Sequence, residues 1–315
     1  MSATAIKELP SSIEFFIGLT SLDLANCKNF VLLPSTICSL KSLYKIYLSR
    51  CSKIVNLSEN LENLKDLLKL FLRETTIVVL PSSIGHLTTL KKLCLRDCKN
   101  LVCLPSTICS LKMVQYLNIT RYSKIVNLPE NLGNMESLDA LLLGGTAIKE
   151  LPSSTVHLKR LTSVVFEGSQ LSSSSFDSMP TSHDPVGVLL CNLPCMHIKK
   201  FDLSDCNPSA IPNDIDCLSS LKELHQSGND FVSLPKSISP LSSLTILNLS
   251  GCNRLQSLPN IPSKVHSIGL HNCTSLERLP EPQNDSLCLE CFNCFKLTYN
   301  IQSFSNMFQV PLSIF

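Results

Sequence analysis

The chain has 315 residues, with 27 Lys and Arg against 25 Asp and Glu for a net charge of +2, 44% apolar residues, no tryptophan and 16 cysteines. The charge balance excludes a strong whole-molecule field toward nucleic acid or an anionic membrane, no apolar run approaches the ~20 residues of a membrane-crossing helix, and MSATAIKELP lacks the basic and apolar regions of a secretory signal. Cysteine at about 5% stays below the roughly 8–10% of a small disulfide scaffold, so reduced thiols are expected, in the cytoplasm or nucleus.

From the N-terminus one frame recurs: Leu9-Pro10, Leu33-Pro34, Leu57-Ser58, Leu80-Pro81, Leu104-Pro105, Leu128-Pro129 and Leu151-Pro152, then Ile211-Pro212, Leu234-Pro235, Leu258-Pro259 and Leu279-Pro280. Neighbours in the first series stand 23 or 24 residues apart, and a period of this size means a solenoid. TAIKELPSSI at Thr4 returns as TTIVVLPSSI at Thr75 and TAIKELPSST at Thr146, steps of 71 residues, so the unit that duplicated is a block of three turns. The chain opens in the tail half of a turn without a covering helix or hairpin, which suggests that residues 1–13 come from inside a longer array.

One turn reads Ile84-x-x-Leu87-x-x-Leu90-x-x-Leu93-x-Leu95-x-x-Cys98-x-x-Leu101-x-x-Leu104-Pro105. Apolar steps of three would drift around an α-helix instead of forming a stripe; the interval of two at Leu93-x-Leu95 is the strand period. The pattern predicts short parallel strands, one per turn, on the concave side of a horseshoe, returning through loops, 3₁₀ turns or short helices on the convex side. Leu93 and Leu95 point inward, and Lys92, Cys94 and Arg96 outward. Cys27, Cys51, Cys98, Cys206, Cys252 and Cys273 share one repeat position, which Thr75, Tyr122, Thr146 and Asn229 fill elsewhere, so these cysteines are placed by the period and not for pairing.

Regular turns fill residues 1–168. The Ser, Pro and Asp of SQLSSSSFDSMPTSHDPVG break the period and read as an irregular insertion over 169–189, a surface loop. Repeats resume over 190–283, where Gln226 puts a polar side chain in an inward strand slot, weakening that turn unless a backbone group satisfies it. From Asn284 the rhythm lapses, and 284–315 read as a C-terminal cap, with Phe292, Phe295, Phe304, Phe308 and Phe315 over the last turn, or as the truncated start of another domain.

The pattern L-x-x-L-x-L-x-x-C/N-x-L is that of leucine-rich repeats, and LPSSI, LPSTICSLKSL and the Leu-x-Leu-x-x-Cys strand resemble the repeat region of plant intracellular immune receptors of the Toll/interleukin-1-receptor-like, nucleotide-binding, leucine-rich-repeat class. That resemblance implies an α/β leucine-rich-repeat solenoid and a non-enzymatic recognition module of plant defence. Its partner would be a protein: a pathogen effector, a guarded host protein, or the receptor's own nucleotide-binding domain, the last giving autoinhibition. It also implies a β-sandwich or jelly-roll domain following the repeats. The alternative is a stand-alone leucine-rich-repeat adaptor outside immunity.

No catalytic constellation or cofactor motif is visible: the seven histidines have no Ser or Asp partner at a fixed repeat position, and no phosphate-binding G-x-x-x-x-G-K-[ST] occurs. Cys288-x-x-Cys291-x-x-Cys294 has thiol spacing for a metal, but strand alternation separates its members and no further ligand follows. Five Asn-x-Ser/Thr sites, at Asn56, Asn118, Asn248, Asn272 and Asn284, fit chance in a chain rich in Ser and Thr. The candidate protein-binding residues face outward on strands two to five: Lys45, Tyr47 and Arg50; Lys69, Phe71 and Arg73; Lys92 and Arg96; Tyr116 and Arg121, with Ser49, Cys94 and Asn118 among them. They predict a basic, aromatic-studded surface, against an acidic set of Glu167, Asp202, Asp205 and Glu223 with His225 later. Polar strands also serve simply to keep a solvent face soluble, but aromatic residues are enriched at interfaces. Cys94, between two cations, reads as an exposed thiol or one of lowered pKa.

Overall fold

A computed structural model describes residues 1–169, 171, 185–208, 211–279 and 287–297. The chain divides into two compact units, Met1–Leu161 and Thr162–Phe315. The first carries parallel strands β1 (Ser21–Asp23), β2 (Lys45–Tyr47), β3 (Lys69–Phe71), β4 (Lys92–Cys94), β5 (Tyr116–Asn118) and β6 (Ala140–Leu142), each paired in register with the next. The second carries β7 (Ser163–Val165), β8 (Lys200–Asp202), β9 (Glu223–His225), β10 (Ile246–Asn248), β11 (Ser267–Gly269) and β12 (Cys288–Glu290), also parallel and sequential.

The Leu-Pro frame is built into the return path. Pro10, Pro34, Pro81 and Pro105 sit at φ between −62 and −65°, each immediately ahead of a 3₁₀ turn, and the proline carbonyl accepts the amide three residues on, as from Ile37 at 3.1 Å. Proline lacks an N–H to lose here and its ring fixes the required φ. Ser58 holds the same backbone, φ −64°, and its hydroxyl accepts from the Asn60 amide at 3.3 Å. The 3₁₀ run Ser82–His86 is packed so closely on the following turn that a side chain on Gly85 would strike the Thr107 carbonyl.

Just beyond β1 to β5 the chain turns through a left-handed residue. Asn26, Arg50, Glu74, Asp97 and Arg121 take φ of 57 to 63°, and their amides donate to the next turn, at 2.8 Å from Asn26 to Ser49 and 2.7 Å from Arg50 to Arg73. Behind the strands lies an aliphatic core: the successive central strand residues Ile46, Leu70, Leu93 and Leu117 are at most 1% exposed. The shared cysteine slot has a specific use. Cys51 donates to the Leu24 carbonyl and Cys98 to Leu72, both at 3.1 Å, and Cys252 donates to Gln226 and Cys273 to Leu249, both at 3.2 Å. Asn229 makes the same bond to Leu203 at 3.0 Å. The thiols thus give a further donor to carbonyls just past the strands, of which Leu24, Leu72 and Leu249 already accept the amide three residues on.

Three expectations change. The insertion ends in structure: Pro185–Cys191 forms helix α1, which buries Val186, Leu189 and Leu190, so the apolar run after Asp184 outweighs the loop-forming composition before it. Residues 170 and 172–184 of the expected loop lie outside the described residues. The repeat also runs one strand past Asn284, because β12 pairs with β11 and Cys294 donates to the Leu270 carbonyl at 3.0 Å in the periodic slot. Phe292 and Phe295 are exposed and do not close the core, while Phe304, Phe308 and Phe315 lie outside the described residues. Gln226 is fully buried; its Oε1 accepts from Asn229 Nδ2 at 3.0 Å, but its Nε2 has no partner among the described residues.

Candidate protein-binding face

The register of β2 to β5 turns the outward positions into columns. Lys45, Lys69, Lys92 and Tyr116 follow one another across the sheet, and two residues later Tyr47, Phe71, Cys94 and Asn118 do the same. Tyr47 and Phe71 stack with ring centroids 5.0 Å apart and parallel ring planes. Lys45 Nζ lies 4.8 Å from the Tyr44 ring centroid, and Lys92 Nζ lies 5.9 Å from that of Tyr116, within cation–π range. Among the described residues none of the three lysines has a carboxylate within salt-bridge distance on this face.

The arginines behave differently. Arg73 and Arg96 share the column just beyond the strands, whereas Arg50 and Arg121 occupy the left-handed position next to it. Glu74, also left-handed, accepts from Arg50 Nε at 3.0 Å and meets Arg73 Nη2 at 2.7 Å; Arg96 Nε pairs with Asp97 at 3.2 Å. Partial burial pushes the Glu74 carboxyl up, but the hydrogen bonds and charges of Arg50 and Arg73 outweigh it and hold the group below its ordinary range. The face is therefore less basic than its cations alone suggest. The missed residues are Glu74 and Asp97, and the signal was present: aligning the turns puts both directly after an outward arginine.

All ten candidate residues lie on this unit, on the sheet face or the turn beside it. Two of the accompanying residues do not present themselves. Cys94 is 8% exposed, flanked in register by Phe71 and Asn118, and burial raises its pKa despite the nearby Arg73 and Arg96 charges, which corrects both the exposed and the low-pKa readings. Asn118 is 5% exposed; it donates to Tyr116 Oη at 2.9 Å and accepts from the Thr120 amide and hydroxyl, so it braces the tyrosine. In the second unit, Glu223 is contacted by Lys200 at 3.4 Å and by His225 at 3.3 Å, so the acidic set is itself partly offset.

Residues 112–300 match the family described as "Disease resistance protein RPS4B-like, leucine-rich repeats". The chain belongs to this family. It is 34% identical over 238 residues to the "Disease resistance-like protein DSC1" of Arabidopsis thaliana, covering 73% of this chain and 18% of that protein, and 35% identical over 190 residues to the "TMV resistance protein N" of Nicotiana glutinosa, covering 60% and 16%. The chain thus spans less than a fifth of the length of these curated relatives. Among solved structures it resembles the functional domain of InlJ from Listeria monocytogenes, which includes a cysteine ladder, with TM-score 0.63 and 16% identity over 97% of this chain and 65% of that one. A Leptospira interrogans leucine-rich-repeat protein aligns with TM-score 0.53 and 22% identity over 98% and 94%. These likenesses establish the repeat fold. Leucine-rich-repeat domains generally bind proteins through the extended surface that stacking their turns creates. No helix among the described residues is long and apolar enough to cross a membrane.

Proposed function

We propose that this chain is the non-enzymatic protein-recognition module of a plant disease-resistance receptor, working in the cytoplasm or nucleus, and that the face of β2 to β5 is its contact surface. The partner is a pathogen effector, a guarded host protein, or the receptor's own nucleotide-binding domain, with the last contact contributing to autoinhibition. The observation that supports this reading is the stacked Tyr47–Phe71 pair beside three lysines that have no carboxylate within salt-bridge distance among the described residues. Rigid aromatic rings give contact area at low entropic cost, and the lysines favour an acidic partner surface. Lys45, Tyr47, Lys69, Phe71, Lys92 and Tyr116 would make the contact; Arg50, Arg73, Arg96 and Arg121 would form its rim.

The test compares the wild-type chain with Tyr47→Ser/Phe71→Ser and with Lys45→Glu/Lys69→Glu/Lys92→Glu in capture from leaf extract, with bound proteins identified by mass spectrometry. A protein held by the wild type and lost from both folded variants supports the reading. Equal capture by all three overturns it.

A further inference from the structure

Most cysteines of this chain have structural work. Those in the periodic slot are buried and donate to carbonyls, and burial pushes the pKa of Cys51 up to about 11 and that of Cys206 up to about 12. Cys195 and Cys217 are of another kind. Neither is in a disulfide, yet they place their sulfurs 3.0 Å apart, with the Cys217 thiol donating to Cys195 Sγ. That is closer than two unbonded sulfurs normally rest, and both residues are partly open to solvent.

The repeat explains the exposure. Cys195 stands five residues ahead of its strand, the position filled by Leu40, Leu64, Leu87, Leu111, Leu218 and Leu241, all at most 1% exposed. In this turn the leucine is replaced by a thiol, and the helix and segment Pro185–Cys195 take the place of the usual return path. Cys217 ends the next 3₁₀ turn, Asn213–Cys217, and α1 packs against that turn. Two chemically matched groups from successive turns therefore meet at a half-open site that no packing requirement explains.

We propose that Cys195 and Cys217 form a reversible thiol–disulfide site, oxidised by a hydroperoxide and reduced by a dithiol, that clamps the segment after α1 to the following 3₁₀ turn. Cys195 is the attacking sulfur. The hydrogen bond from Cys217 favours its thiolate and, against the opposing effect of burial, lowers its pKa to about 7; Cys217 is raised by the same contact, by burial, and by Asp216 and Asp214. The Cys195 thiolate attacks one peroxide oxygen, forming an S–O bond as the O–O bond breaks. The hydroxide that leaves takes the Cys217 proton and becomes water. The Cys217 thiolate then attacks the sulfenic sulfur, the S–S bond forms, and the S–O bond breaks with a second hydroxide, which takes a solvent proton. Two electrons pass from the two sulfurs to one hydrogen peroxide, giving one disulfide and two waters.

The experiment treats the reduced full chain with hydrogen peroxide and maps disulfides by non-reducing digestion and mass spectrometry, in the wild type and in Cys191→Ser, Cys195→Ser and Cys217→Ser. The expected result is a Cys195–Cys217 link in the wild type and Cys191→Ser, its loss in the other two, and a dimedone adduct on Cys195 in Cys217→Ser. Alkylation of the reduced wild type by iodoacetamide at neutral pH should be roughly tenfold faster at Cys195 than at the exposed Cys103. A wild type that forms no such link, a link from Cys191 in its place, or a Cys195 no faster than Cys103 overturns the proposal. The wild-type measurements decide it even if a variant does not fold.

Discussion

Tyr47 and Phe71, on neighbouring strands and 24 residues apart, stack with parallel ring planes at 5.0 Å on the solvent face of the sheet. The parallel pairing that brings them opposite each other repeats across the unit, so the stack is a product of register and of the two residue types. An exposed stack of this kind couples its members: in a double-mutant cycle through Tyr47→Ala and Phe71→Ala, urea denaturation should return a coupling of about 0.5–1.5 kcal/mol. Strict additivity would mean that the rings meet without interacting.

Glu74 is the carboxylate two arginines share. Because its pKa is lowered in the folded protein, the stabilisation it provides is present above the unfolded carboxylate pKa and fades as the pH falls through the folded value. Substituting Gln should remove that part of the acid-side loss, with an effect at neutral pH of no more than about 1 kcal/mol, since the pair is solvent-screened. Thermal melts of the wild type and Glu74→Gln across the acidic range should converge at low pH; a constant gap would show that the ion pairs contribute nothing titratable.

Ser58 occupies a proline position and already has the proline φ. Both Ser58→Ala and Ser58→Pro lose the bond from the Asn60 amide, which should cost about 0.5–1 kcal/mol, but the proline restricts the unfolded chain and should stand about 0.4–1 kcal/mol above the alanine variant. A higher denaturation midpoint for the proline than for the alanine variant is the expected reading, and a proline at or below the alanine would place the frame's cause elsewhere.

Gln226 fills a leucine slot with an amide whose nitrogen is buried and unpaired among the described residues. Asn229 keeps its bonds to the Leu203 and Gln226 carbonyls without that side chain. Gln226→Leu should therefore stabilise the chain by about 1 kcal/mol, measured as a higher urea midpoint at unchanged slope. A lower midpoint would show that the Gln226–Asn229 bond outweighs the stranded amide.

The sequence by itself determined the solenoid, because the apolar period, the inward Leu-x-Leu pair and the proline that fixes φ are all local constraints that repeat. The same period also put Lys45, Tyr47, Lys69, Phe71, Lys92 and Tyr116 on one outward face, since strand alternation admits no other side. What the tertiary structure decided is how those outward groups use one another. Which thiol lies beneath its neighbours, as Cys94 does, or which carboxylate reaches across to two arginines, as Glu74 does, depends on side-chain direction between turns, and a one-dimensional period carries no such information. The same holds for Cys195 and Cys217: they stand 22 residues apart at repeat positions one residue out of step, and only the packing of successive turns shows that their sulfurs meet.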